Sequence, residues 1–247
     1  MDSADRIRTA IAEVFALRAE ARSNVSLGSA LTQVKELQAL RFQGTYSDLL
    51  NSSDFGDPSR FFLDELYGVQ DFSERDAQFS RIAKSISTIF PASVVRTAVD
   101  IAELHALTER LDVQVAAQWL QLGGSSTVWT SSAYVNAWRY VGQRDLRLKQ
   151  LAVVLSLGNQ LAQLTRKPGI ATLLKLMRRP AASAGLSSLQ QFLEKGFATF
   201  GKMARNDQKA AEFLALIQEQ ESQWIASMYD RPLSEQARHL ETLSKPK

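Results

Sequence analysis

The residues between Arg166 and Pro180 hold the densest run of cations in this chain, RKPGIATLLKLMRRP. On a helix, Ile170, Leu173, Leu174 and Met177 share one face, and Lys175, Arg178 and Arg179 lie on or near the other. Arg166 and Lys167 stand just upstream, and Gly169 marks the helix start. Free backbone N–H groups there can join nearby cations in holding an anion. The chemistry this permits is recognition of an anionic phospholipid surface or a phosphate compound. The plainer reading is a short helix that packs its apolar face on the core and leaves its cations in water.

A second candidate is a polar cluster with an aromatic wall: Tyr67, Asp71, Arg75 and Asp76, with His105 as a further ionisable group. It is read either as a small-ligand or cofactor pocket or as local structure. In the structural reading Gly68 turns the chain, Ser73 caps a helix, Asp76 returns the bond as in a capping box, and Arg75 pairs with a carboxylate. Arg75 and Asp76 are adjacent on a helix and are expected to point in different directions. His105 precedes Glu109 by four residues and could serve as a haem ligand or general base. The plainer expectation is a boundary histidine paired with a carboxylate. His239, beside Arg238 and near Glu241, is expected to be exposed.

Trp119, Trp129, Tyr134, Trp138 and Tyr140 crowd around Gly123-Gly124. They could line a pocket or stack on bases, or simply pack a helix–helix corner. Gly123-Gly124 fits no phosphate-loop or dinucleotide pattern, and neither a GxSxG elbow nor a metalloprotease helix is present. With no cysteine there is no thiolate nucleophile, disulfide or thiolate zinc site. The site expectations therefore name no catalytic residue, no cofactor and no metal, and enzymatic activity stays open.

The elements that must position these residues are helical. Ile7, Ile11, Val14 and then Leu31, Val34, Leu37 recur at spacings of three and four, interrupted around Ser23-Asn24 and Gly28, with Gly44 as a stop. A polar connection follows over 45–57, and Asp57-Pro58 reads as a cap with proline at the first helical position. Further helices are expected over 58–67, 73–90, 92–122, 131–166 (bent at Gly142 or Gly158), 170–179, 186–205, 207–228 and 233–243. The expectation is an all-α fold with no sheet, a compact bundle of about nine helices in one domain, 1–247. Sub-bundles 1–122 and 130–247 could be joined by the Gly123-Gly124 linker.

Charge is unevenly placed along the 247 residues. The net charge is +3 and the isoelectric point about 9.2. Residues 1–133 carry 12 basic against 17 acidic side chains, residues 134–209 carry 13 against 3, and residues 210–247 carry 4 against 6. A surplus of this kind makes a positive field only if its cations share a face. Two partners fit: an external anion, or the acidic front half of this chain or a second copy, which would make a homodimer. Nucleic acid is the weaker external candidate, because the net charge is small and no nucleic-acid motif is present. No run approaches about 18 uncharged apolar residues. Leu151–Leu164 reads as a buried core helix, and no signal peptide opens the chain, so the expected location is the cytoplasm.

One block resembles a known family. Phe61-Phe62-Leu63-Asp64-Glu65-Leu66-Tyr67-Gly68, then Asp71-Phe72, Arg75-Asp76 and Arg81, is similar to the FFLxxLYGxxDFxxRDxxxxR block of a family of uncharacterised bacterial, cytoplasmic proteins. Arg166-Lys167-Pro168, Leu176–Pro180 and Phe192–Phe197 resemble the same family, so the likeness covers about residues 58–228. It implies an all-helical fold and carries no assigned activity, hence no catalytic residues. The function expected from these features is a non-enzymatic binding or scaffold protein. The alternative is a ligand-binding helical protein with its pocket near Tyr67–Asp76 and His105.

Overall fold

A computed structural model describes residues 1–66, 71–123 and 130–245 of the chain. Among them are twelve α-helices, against the nine or so expected, and no strand. In chain order they are α1 (Ser3–Ser23), α2 (Val25–Thr45), α3 (Ser47–Leu50), α4 (Gly56–Leu66), α5 (Ser73–Ile89), α6 (Ala92–Gln121), α7 (Ser131–Val141), α8 (Arg144–Arg166), α9 (Ile170–Ser183), α10 (Ser187–Met203), α11 (Asp207–Asp230) and α12 (Leu233–Leu243). No helix among the described residues is long and apolar enough to cross a membrane.

The chain forms two compact units. Unit 1 holds Met1–Phe15, Gln70–Ala106 and Val153–Ala215, and unit 2 holds Ala16–Val69, Leu107–Ala152 and Leu216–Lys247. Four of the five boundaries fall inside α1, α6, α8 and α11.

Unit 1 is built on the three-and-four spacing. Ile7, Ile11 and Val14 of α1, Phe79, Ala83 and Ile86 of α5, Val95, Val99 and Ala102 of α6, and Leu189 of α10 form one buried cluster. α10 packs on both α5 and α9. Its first turn has no capping side chain of its own. Gln78 of α5 supplies the missing acceptor: its Oε1 takes the Leu189 N–H at 2.9 Å. Arg81 donates to the Gly185 carbonyl in the turn before α10. Gly158 lets α8 and α11 approach, since a Cβ there would lie 2.4 Å from Leu214 Cδ2.

Unit 2 has its own core. Leu27, Leu31, Val34 and Leu37 of α2 meet Val115 and Trp119 of α6, Tyr134 and Trp138 of α7, Trp224 and Met228 of α11, and Leu240 of α12. α12 packs on α2 and α7. The break between α1 and α2 falls at Asn24, whose Oδ1 accepts the Leu27 N–H at 3.1 Å.

Four local expectations need correction. Gly44 does not stop α2; it lies in the helix, where a Cβ would come within 1.9 Å of the Leu243 carbonyl oxygen in α12. Its lack of a side chain serves a close helix crossing. Asp57 does not cap α4. The helix starts at Gly56, because the Gly56 N–H already bonds to the Ser52 carbonyl and the turn runs into the helix. The helix expected over 131–166 is two helices. Gly142 and Gln143 both have positive φ, 70° and 59°, which a right-handed helix cannot accommodate. Pro180 does not end α9, which continues to Ser183. Proline removes one helix hydrogen bond, and on this exposed surface water can serve the freed carbonyl.

Candidate functional site

The basic tract spans the end of α8 and all of α9, within unit 1. Gly169 adopts φ +86° and turns the chain into α9, whose start has no side-chain cap. The exposure pattern of α9 follows its spacing. Ile170, Leu173, Leu174 and Met177 are half-buried, and Ala181 is the helix's buried residue. Ala171, Thr172, Lys175, Leu176, Arg179, Ala182 and Ser183 are exposed. α10 holds the helix by polar bonds: Gln190 Nε2 donates to the Leu174 carbonyl at 2.7 Å, and Arg178 donates to both oxygens of Glu194, the shorter bonds at 2.7 Å. That guanidinium holds the Glu194 carboxyl below its ordinary range.

The five cations expected to act together divide. Arg178 belongs to Glu194. Arg166 donates to the Ala204 carbonyl at 2.9 Å and Lys167 to Ser93 Oγ at 2.9 Å. Lys175 and Arg179 remain, one turn apart on the solvent face of α9. Among the described residues neither makes an ion pair, although the charge of Lys175 acts on the nearby Glu194 carboxylate. In unit 2 three further cations of the basic segment are also engaged. Arg144 is paired with Asp230 at 2.8 Å. Arg139 donates to the Met228 and Arg231 carbonyls. Arg147 is buried near Asp112 and stacked on Trp138 at 3.9 Å. Carboxylates thus meet Arg144, Arg147 and Arg178, and neutral carbonyl or hydroxyl oxygens occupy Arg139, Arg166 and Lys167.

Of the second candidate cluster, Tyr67 lies outside the described residues. Asp71 is exposed and its Oδ1 accepts the Ser73 N–H, so Ser73 is not the cap and α5 has no capping box. Asp76 turns inward. Its Oδ2 lies 2.9 Å from His105 Nε2 on α6, and its Oδ1 lies 3.8 Å from Arg75 Nε. The Arg75 guanidinium sits over Phe72 at 4.0 Å and Phe192 at 4.6 Å. The structure therefore joins Arg75, Asp76 and His105, although the first two were expected to diverge. His105 meets its carboxylate on α5 and not at Glu109. The arrangement is a buried polar link between α5 and α6.

Glu109 belongs to a network in unit 2 that the sequence reading did not single out. Arg18 of α1 reaches Glu109 at 3.1 Å, and Lys35 of α2 reaches both its oxygens at 2.8 Å. Burial pushes this carboxyl upward, but the two cations outweigh it and hold Glu109 below the ordinary value. One turn along α6, Asp112 accepts from Gln38 Nε2 at 2.9 Å, and burial raises its pKa. Tyr134, within 3.4 Å of the same amide, is pushed by burial up to about 12. Arg41 pairs with Glu221 through both guanidinium nitrogens, and Tyr46 donates to Glu221 at 2.8 Å. The signal was in the chain: Lys35, Gln38 and Arg41 recur every three residues on α2, and Glu109 and Asp112 are three apart on α6. A polar stripe at helical spacing beside an apolar one marks a second buried seam.

The aromatic group around Gly123 divides similarly. Trp119, Tyr134 and Trp138 are core residues of unit 2 and Tyr140 is exposed, while Gly124 and Trp129 lie outside the described residues. His239 is half-buried and not exposed: it stands against Trp224 and 3.1 Å from Arg231, and burial lowers its pKa.

The model of the family described as "Domain of unknown function (DUF8198)" matches residues 17–234. No curated protein and no solved structure matches the chain.

Proposed function

The chain belongs to the DUF8198 family, and we propose that it works as a non-enzymatic helical binding protein that engages a phosphate-bearing anionic partner through the solvent face of α9. One observation carries this reading. Lys175 and Arg179 stand together on that face, in a stretch without a single acidic residue between Asp145 and Glu194. Cations held this way contribute most when an anion arrives, because no internal carboxylate has to be displaced. The polar clusters at Asp76 and Glu109 support the reading from the other side, since their carboxylates already hold partners from neighbouring helices.

The double variant K175E/R179E tests it. Wild-type protein is expected to bind inorganic polyphosphate or anionic vesicles at low salt, with affinity falling as salt rises. The variant, with far-ultraviolet circular dichroism like that of the wild type, is expected to bind neither. Absence of binding to both by the wild type at low salt, or equal binding by the variant, contradicts the reading.

A further inference from the structure

Resting on that reading, we infer that the anion is the headgroup layer of a phospholipid membrane, on which α9 lies flat with Leu176 inserted beside Lys175 and Arg179. Leu176 is 69% exposed. Lys175 and Arg179 are exposed as well, and the three residues lie within about 100° of one another around the helix. A soluble phosphate compound has no use for a leucine there, and the backbone of a nucleic acid offers phosphates but no apolar phase. A bilayer surface offers both, in the order this face presents them. Phosphates lie outermost, within reach of a lysine and an arginine whose apolar stems can descend while their charged heads stay up. The acyl boundary lies just beneath, at the depth of a short apolar side chain.

The shape of the element agrees. α9 has 14 residues, about 21 Å at the helical rise, and its solvent face carries no acidic group that anionic lipid would repel. Arg178, tied to Glu194 at the flank, fixes the helix on α10 and leaves Lys175 and Arg179 to the lipid.

Cosedimentation with vesicles of phosphatidylcholine and phosphatidylserine in equal amounts tests the inference, with pure phosphatidylcholine vesicles, polyphosphate and duplex DNA as parallel arms. The wild type is expected to pellet with the mixed vesicles and not with phosphatidylcholine alone. L176S, a change at an exposed position that leaves the fold intact, is expected to lose roughly tenfold in vesicle affinity. The same variant is expected to bind polyphosphate, where the wild type does, without change. Vesicle binding indifferent to L176S would overturn the membrane assignment, as would polyphosphate or DNA binding without vesicle binding. In both cases the phosphate-binding reading stands. Failure of every arm removes both.

Discussion

Replacing Gly44 with alanine is expected to unfold or severely destabilise unit 2. An added Cβ would sit 1.9 Å from the Leu243 carbonyl oxygen, 2.7 Å from its carbonyl carbon and 2.9 Å from its Cα. All three atoms are backbone of α12, so relief requires α12 to move off α2. α12 also packs on α7, and Leu240 belongs to the central cluster, so the movement cannot stay local. Overpacking of a rigid core costs about 1–3 kcal/mol and occasionally more, and a contact of backbone on backbone belongs at or above the top of that range. The helix propensity gained from glycine to alanine is at most about 1 kcal/mol and does not offset it. Gly158→Ala makes the comparison quantitative. Its Cβ would meet Leu214 Cδ2 at 2.4 Å, the end of a side chain that can change rotamer, so a cost of about 1–2 kcal/mol is expected. Urea unfolding of the two variants reads the difference. A G44A midpoint equal to the wild type would mean that α2 and α12 do not cross at this distance.

Glu221→Ala is expected to cost about 3–5 kcal/mol, because it breaks a buried ion pair from one side. Arg41 donates to both oxygens of the Glu221 carboxylate, and Tyr46 donates its hydroxyl to the same group. Removal of the carboxylate takes a two-bond ionic partner from Arg41, and the attraction of the Trp224 ring at 5.0 Å is too small to replace it. Arg41→Leu/Glu221→Leu removes the charge with its partner and is expected to be less destabilised than E221A alone, since buried pairs replaced together by apolar residues are often nearly neutral. Thermal unfolding of E221A and the double variant decides. A double variant that loses as much as E221A or more would show that the broken ion pair is not what makes E221A costly.

Fold class was legible because buried helices repeat their apolar residues every three or four positions. Ile7, Ile11 and Val14 announce α1, and the same rule finds α2, α6 and α10. Number and ends of helices were less legible. Whether a glycine bends, breaks or merely thins a helix depends on what stands opposite. Gly142 breaks one through its backbone angles, Gly158 admits Leu214, and Gly44 admits α12. Those partners are far away in sequence. Leu122, the last residue of the helix expected over 92–122, is 40% exposed and lies just past the helix end at Gln121.

The candidate sites were legible as residue types and not as pairings. The chain marks Arg166 to Arg179 as basic, but only the fold reveals that Glu194, Ala204 and Ser93 occupy three of the five cations. Likewise His105 has Glu109 four residues away and finds Asp76 instead, because Glu109 is already claimed by Arg18 and Lys35. Local spacing proposes partners, and three-dimensional competition among carboxylates assigns them.

The binding role proposed for α9 is tested most directly by amide hydrogen exchange across the whole chain, recorded with and without phosphatidylserine-containing vesicles. The account predicts that vesicles slow exchange in Ile170–Ser183 and leave the core helices of unit 2 unchanged. Exchange in α9 that is unaffected by vesicles, with protection appearing elsewhere or nowhere, would contradict it.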